Sequence, residues 1–321
     1  MKAKLFFLLC IIVVLTTSSS IAQNEIKKEY YENDTLMTET PYTGGKINGI
    51  QKEYYESGKI FRETPYMDDK LNGVVKTYGE SGIIEWEIPY IDDKKNGIQK
   101  EYNDESGKIW WETPYIDDKK NGIEKKYGES GNIFRQIPYT DDKKNGIEKE
   151  YDDDGKIFRE TPYSDGTING IMKEYYENGK ISSETPFIDY IRNGISKEYY
   201  ESGKIKKETP YVDDYINGIE NEYYESGRIM LETPYVEGKI TGFKKMYYES
   251  GTILQETPYT NYVIIGIEKS YYESEKIFRE TSYTDGKKNG TEKDYYESGK
   301  IKSTTLYKNG TRGKTKSFDD K

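Results

Sequence analysis

Residues 141–155 read DDKKNGIEKEYDDDG, and their spacing is close to that of a calcium-binding loop. An EF-hand loop wants acids or Asn at positions 1, 3 and 5, Gly at 6 and a bidentate Glu at 12. Asp141, Asn145, Gly146 and Asp152 fill positions 1, 5, 6 and 12, but Lys143 puts a cation at position 3, where a carboxylate must sit. In the unit ending at Gly73, position 12 is Gly79. Neither loop has flanking helices, so no metal site is assigned. Carboxylates abound elsewhere, with 58 Asp and Glu residues, and a carboxylate pair is what a glycosidase uses. Such an enzyme needs two unlike acids in a concave site, one with a raised pKa. Here the acids recur at equivalent positions, and no stretch holds a unique acid in an apolar setting. No catalytic residue is assigned and no enzyme is expected.

Residue types remove the other common chemistries. There is no His, and the one cysteine, Cys10, lies in a segment that reads as a targeting signal. Lys2 and Lys4 precede an apolar run from Leu5 to Leu15, and TTSSSIAQ places Ser20 and Ala22 before a cut at Gln23. The run is about half the length a membrane span needs. Lipoprotein processing before Cys10 is disfavoured by the bulky Leu9. The expectation is a signal peptide over 1–22, a repeat array over 23–321, and a chain that is periplasmic, on the cell surface or secreted. Loss of Cys10 excludes disulfides and thiol nucleophiles, and the lack of His excludes triads and zinc sites of the usual kinds. No cofactor is implied. Loss of Lys2 and Lys4 takes the formal charge from -10 to -12. That charge repels phosphate backbones and anionic lipids, so nucleic acid is not an expected partner and membrane lipid contact is disfavoured.

What positions these residues is a repeat. Only 33% of residues are hydrophobic, too few for a thick core, yet there are 34 Tyr, which a disordered chain would not carry. Gly49, Gly73 and Gly97, then Gly122, Gly146 and their successors to Gly290, recur at steps of 24, with one extra residue between 97 and 122. All ten prolines fall at one position of the unit. In residues 49–72, GIQKEYY and KIFRETPY are two β-prone runs around Glu56-Ser57-Gly58, followed by MDDKLN. The fold class is therefore all-β: an elongated, single-layer meander of about twelve β-hairpin repeats. Two registers are open. A three-residue loop with left-handed Gly58 sets Tyr54 opposite Ile60, and puts Ile50, Tyr54, Ile60 and Tyr66 on one face. Gln51, Glu53, Glu63 and Pro65 then take the other. A two-residue turn instead pairs Lys52 with Glu63 and Glu53 with Arg62. The first is preferred, because burying Ile and Tyr outweighs exposed ion pairs. Asn-Gly is expected to turn the chain between hairpins, leaving the acids solvated.

YYESGKIFRETPYMDDKLNG (54–73), YYENGKISSETPFIDYIRNG (175–194) and YYESGKIKKETPYVDDYING (199–218) resemble the MORN-repeat variant, the second MORN class. The resemblance runs over about 30–313. It implies a β-hairpin meander, contacts with membrane lipid or protein, and no shared catalytic residues; bacterial members include the YwqK-family antitoxins. Asp34 and Glu275 depart from the pattern where the hairpin turn wants Gly, and Thr241 and Ile265 where Asn precedes Gly. The shorter closing unit at 306–313 reads as a cap.

Two functions follow: an exported protein-interaction scaffold or, as the resemblance implies, an antitoxin or immunity protein neutralising a cognate toxin. Export separates them for a toxin that acts in the cytosol. Binding is expected where the repeat is broken, since equivalent positions are explained by stacking. All three Trp lie in adjacent units, Trp86, Trp110 and Trp111, with the last two pointing to opposite faces of a strand. Near the other end NYVIIG (261–266) puts Tyr262, Ile264 and Ile265 where other units are polar.

Overall fold

The computed structural model describes residues 24–321. The expected signal peptide lies outside the described residues. Among them are 36 strands and no helix, and every strand pair is antiparallel in a β-hairpin meander. The chain divides into two compact units, the first ending at Gly107 and the second spanning Lys108–Lys321; each is described by itself.

One repeat shows how the sequence folds. Gly146–Tyr151 and Ile157–Ser164 are the long strands, and Thr167–Ile168 is a two-residue return strand. The loop between the long strands is closed by Asp152 N–H to Lys156 O at 2.9 Å and by Gly155 N–H to Asp152 O at 3.0 Å. Gly155 is left-handed, with φ of 79°, which the missing Cβ allows. Each repeat is thus a hairpin plus a short return strand that folds back on its second strand.

Both expected registers occur within one hairpin. In the first unit Tyr54 pairs with Ile60, as the three-residue loop requires, and next to them Glu53 pairs with Arg62 and Lys52 with Glu63. A β-bulge reconciles the two by making Phe61 an extra residue on the second strand. The bulge reverses the side-chain alternation for the rest of that strand. The expectation that Ile50, Tyr54, Ile60 and Tyr66 share a face is corrected accordingly. Ile50 lies opposite Pro65, whereas Tyr66 lies opposite Gly49, on the other face with Gln51 and Thr64. Gln51 and Glu53 are likewise separated from Glu63 and Pro65.

The face bearing Thr64 and Tyr66 is the buried one. Thr64 is 3% exposed while Ile50, on the open face, is 52% exposed. In the second unit the equivalent residues Thr161, Thr209, Thr233 and Thr281 are buried as well. Only Val75 and Ile137 are buried hydrophobic residues among those described. The stability of this thin sheet therefore rests on cross-strand polar ladders. On the open face the Tyr223 hydroxyl donates to Glu208 Oε2 at 2.7 Å, and Tyr247, Tyr271 and Tyr295 do the same to Glu232, Glu256 and Glu280. Lys149 pairs there with Glu160 at 3.6 Å. Exposed ion pairs of this kind contribute about 0–1 kcal/mol each, so the regular repetition matters more than any one of them.

The turn between hairpins is also corrected. Asn-Gly does not form it. The central turn residues are Asp68-Asp69, with φ of 52° and 71°, and Asp141-Asp142, with 47° and 67°. Two left-handed residues make the tight turn whose twist suits flanking strands, and Asp tolerates that conformation. The acids are engaged: Asp142 Oδ1 accepts the Lys120 N–H at 2.8 Å, and Asp141 pairs with Lys119 at 3.6 Å. Asn-Gly instead forms the corner that leads into the next long strand. Asn145 N–H donates to Pro138 O at 3.0 Å, and Gly146, at φ of 115°, lies so close that an added Cβ would stand 3.1 Å from Pro138 Cγ. Thr241 and Ile265 replace Asn without loss because the bond needs only the backbone: their N–H groups donate to Pro234 O and Pro258 O.

Candidate interaction surface

The two faces and the turn edge offer different chemistry. The buried face of the second unit carries carboxylates, each held by a cation. Glu124 and Glu148 are 1% and 3% exposed. Lys120 Nζ donates to Glu124 Oε2 at 2.6 Å, and Lys144 Nζ to Glu148 Oε2 at 2.7 Å. Arg135 adds a forked contact to Glu148, its Nε at 2.7 Å from Oε1. The Glu124 and Glu148 partners raise the pKa of Lys120 and Lys144 against the opposing effect of burial, which is the largest influence on both. These ions satisfy one another inside the sheet. The arrangement holds strands; it does not present a reactive acid.

Trp111 stands at this charged stretch. It lies opposite Lys126, whose Nζ sits 3.8 Å from the indole centroid, a cation–π contact. Burial lowers the Lys126 pKa, and the indole N–H finds no hydrogen-bond partner among the described residues. Trp110 is 49% exposed, at the position that Phe134, the bulged residue, takes one repeat later. Trp86 belongs to the first unit, half-buried between Thr77 and Glu101 on neighbouring strands.

The turn edge carries the largest exposed rings. In the second unit the turns at 116–120 and 140–144 read IDDKK and TDDKK, whereas those at 188–192, 212–216 and 260–264 read IDYIR, VDDYI and TNYVI. Tyr190, Tyr215 and Tyr262 are 53%, 65% and 56% exposed. Tyr190 and Tyr262 hold the second, left-handed turn position, with φ of 69° and 67°, a conformation that a bulky side chain adopts only under strain. Their hydroxyls donate to Gly166 O and Gly238 O of the preceding turn, which fixes the rings. Gly238 also lies against Tyr215, whose Cδ1 is 3.6 Å from where a Cβ would be. Tyr215, Gly238 and Tyr262 thus form a continuous patch across successive turns. Ile265 and Val263, exposed, extend it. Ile264 is half-buried opposite Tyr259, the register position that Ile216 and Ile240 occupy in the two repeats before. Reasoning from sequence found Tyr262 and Ile265 but missed Tyr190, Ile191 and Tyr215. The signal was there, in the replacement of DDKK by DYIR and DDYI.

Stacked hairpins of one period, tied repeat to repeat by identical bonds, define a tandem β-repeat array. The chain belongs to the MORN repeat variant family, which matches it at residues 47–68, 120–141, 144–165, 168–189, 192–213, 244–261, 265–285 and 288–309. That family is generally non-enzymatic. No curated protein matches the chain. Among solved structures, similarity is found to a crystal structure of TcdB2-TccC3-TEV, at 12% identity and a TM-score of 0.20, covering 89% of this chain and 17% of that one. The crystal structure of TcdB2-TccC3-Cdc42 is similar at 14% identity and a TM-score of 0.20, covering 88% and 18%. Virginiamycin B lyase from Staphylococcus aureus follows at 16% identity and a TM-score of 0.16, covering 87% and 98%. The chain spans less than a fifth of the first two, and likenesses this slight carry no argument.

Proposed function

We propose that this repeat protein is a non-catalytic interaction scaffold that works after export, and that it holds a protein partner along the turn edge at residues 188–265. The observation that carries the reading is the exposure of Tyr190, Tyr215 and Tyr262 at turns where other repeats place ion-paired Asp and Lys. Two of these rings are fixed by hydrogen bonds, so they lose little freedom on binding. Aromatic anchors supply much of the energy of protein interfaces. The edge keeps Asp189, Asp213 and Glu237 beside the rings, so the partner is a protein with an apolar patch and a basic rim. Trp110 and Trp111 form a second contact point, through the exposed Trp110.

A photo-cross-linking residue at position 215, with one at position 119 as control, tests the reading in the envelope fraction of the source organism. One protein cross-linked from position 215 and not from 119 is the expected result. Equal adducts from both positions, or none from 215, overturn it. If the cross-linked protein is a toxin encoded beside this gene, the antitoxin or immunity role replaces the scaffold.

A further inference from the structure

The open face carries a feature that the turn edge does not explain. In every repeat of the second unit from Ile123 to Ile267, the residue after the corner Gly is apolar and about half exposed: Ile123 is 52%, Ile195 54%, Ile219 53% and Phe243 56% exposed. From Ile123 to Phe243 each lies opposite a proline of its own hairpin, as Ile147 does Pro162 and Ile195 does Pro210, while Ile267 lies opposite Ser282. The next corner packs on that proline, so that a Cβ at Gly218 would stand 3.1 Å from Pro210 Cγ. A large apolar residue, Ile or Phe243, and a proline therefore alternate in a band across the strands from Ile123 to Pro258, with Ile267 extending it. Among the described residues nothing covers the band, although leaving this many aliphatic groups in water is unfavourable.

We infer that this band is a self-association surface, and that its occupant is the same band of a second copy of this chain. Three observations point to a second copy. The first is spacing. One large side chain recurs every second strand, roughly every 10 Å, and only a partner with the same period can fill every gap along the band. A second copy has that period by construction, and a two-fold arrangement makes one band complementary to another. The second is charge. No position of the band from Ile123 to Ile267 is ionised. The flanking Lys and Glu are already paired with each other, as Lys149 is with Glu160 and Lys197 with Glu208. Two copies can meet without placing like charges opposite each other at the centre. The third is area. The band and the exposed Ile188, Val212 and Val236 beside it present on the order of 800 Å², about what each partner buries in a standard interface. With the two-fold axis at the middle of the band, Ile195 meets its own copy.

Sedimentation equilibrium of the protein in its natural processed form tests the inference. The expected result is a reversible dimer with micromolar or tighter affinity. Its affinity should rise with salt, because the excess of Asp and Glu over Lys and Arg makes two copies repel each other at long range. Combining Ile171→Asp, Ile195→Asp and Ile219→Asp should weaken the dimer at least about a hundredfold. As a check that does not depend on how that variant folds, Ile195→Cys should form a disulfide-linked dimer under mild oxidation, whereas Glu201→Cys in an exposed loop should not. A monomer at about 100 µM in both low and high salt overturns the inference, as does a dimer that Ile195→Cys does not cross-link. Tyr215→Ser should leave the dimer unchanged, which separates this surface from the partner edge.

Discussion

Two stretches of the second unit share one backbone and differ in what holds them. Between residues 116 and 163 the buried face is a lattice of ions, with Glu124 and Glu148 gripped by Lys120, Lys144 and Arg135. The outer loops there lack the tyrosine tether, since Gly128 and Asp152 stand where later repeats have Tyr, and are joined by single bonds such as Asn132 Nδ2 to Asp153 O at 3.4 Å. Between residues 188 and 295 the positions equivalent to Lys120, Arg135 and Lys144 include the half-buried Ile216, Leu231, Ile240 and Ile264, and the buried Glu220 and Glu292 each keep one lysine, Lys207 and Lys288. There the loops are stapled by tyrosine: Tyr200, Tyr224 and Tyr248 donate to the backbone oxygens of Tyr223, Tyr247 and Tyr271 at 2.6, 2.7 and 2.9 Å. The first stretch spends its charged side chains on its own turns. The second leaves aromatic rings at the edge. Stacking fixes the backbone; the positions it leaves free set what each stretch presents to other molecules.

The largest expected effect breaks the ionic lattice. Glu148→Ala leaves Lys144 and Arg135 partly unpaired on a buried face and should cost about 3–5 kcal/mol in urea unfolding. Combining Lys144→Ile with Glu148→Met copies the Ile168 and Met172 of the next repeat and should recover most of that loss. A single variant as stable as the parent would show that the lattice contributes nothing.

Alkali should weigh more on the stapled stretch, where phenols pushed up to about 12 are more numerous than in the ionic one, which has Tyr127. Tyr199, Tyr223, Tyr271 and Tyr295 are pushed up to about 12, first by burial and then by hydrogen bonds to Glu184, Glu208, Glu256 and Glu280. Unfolded phenols release their protons near pH 10. Between 10 and 12 the folded chain thus holds more protons than the unfolded one, and stability falls as pH rises through that window. Below pH 10 the contribution is fully present. Tyrosinate absorbance and circular dichroism should change together; phenols that all titrate near pH 10 with the fold intact would contradict this.

Smaller changes exchange the devices. Tyr224→Phe removes one staple and should lose about 1 kcal/mol. Gly128→Tyr offers a hydroxyl to the Tyr151 carbonyl, in the place of the later staples, and should gain a similar amount. A Cβ at Gly128 meets nothing closer than 3.9 Å. The smallest effect is at Glu275, a non-glycine residue at φ of 66°. Glu275→Gly relieves that strain and should raise stability in urea unfolding slightly, by about 1 kcal/mol or less.

Much of this fold was legible in the sequence, because the fixed spacing of Gly and Pro marks corners that only those residues fill well. The face assignment was not, because one bulged residue, Phe61, reverses the alternation and leaves no mark of its own. Its trace was the coexistence of two plausible registers. The turn was readable in retrospect: Asp165-Gly166, Asp285-Gly286 and Asn309-Gly310 occupy the site of Asp68-Asp69 and are common left-handed turn pairs. The exposure of Tyr190 and Tyr215 depends on which edge a turn occupies, and that needs the register.

The most direct test of the partner edge compares two variants of equal size on opposite stretches. In one, Tyr190, Tyr215 and Tyr262 become Ser; in the other, Lys119, Lys143 and Asp165 become Ser. Binding of the cross-linked partner is measured for each by calorimetry, with melting curves alongside. The account predicts at least a tenfold loss for the tyrosine variant, little change for the charged one, and near-parental melting in both. Equal binding by the two, or a loss confined to the charged variant, would contradict it.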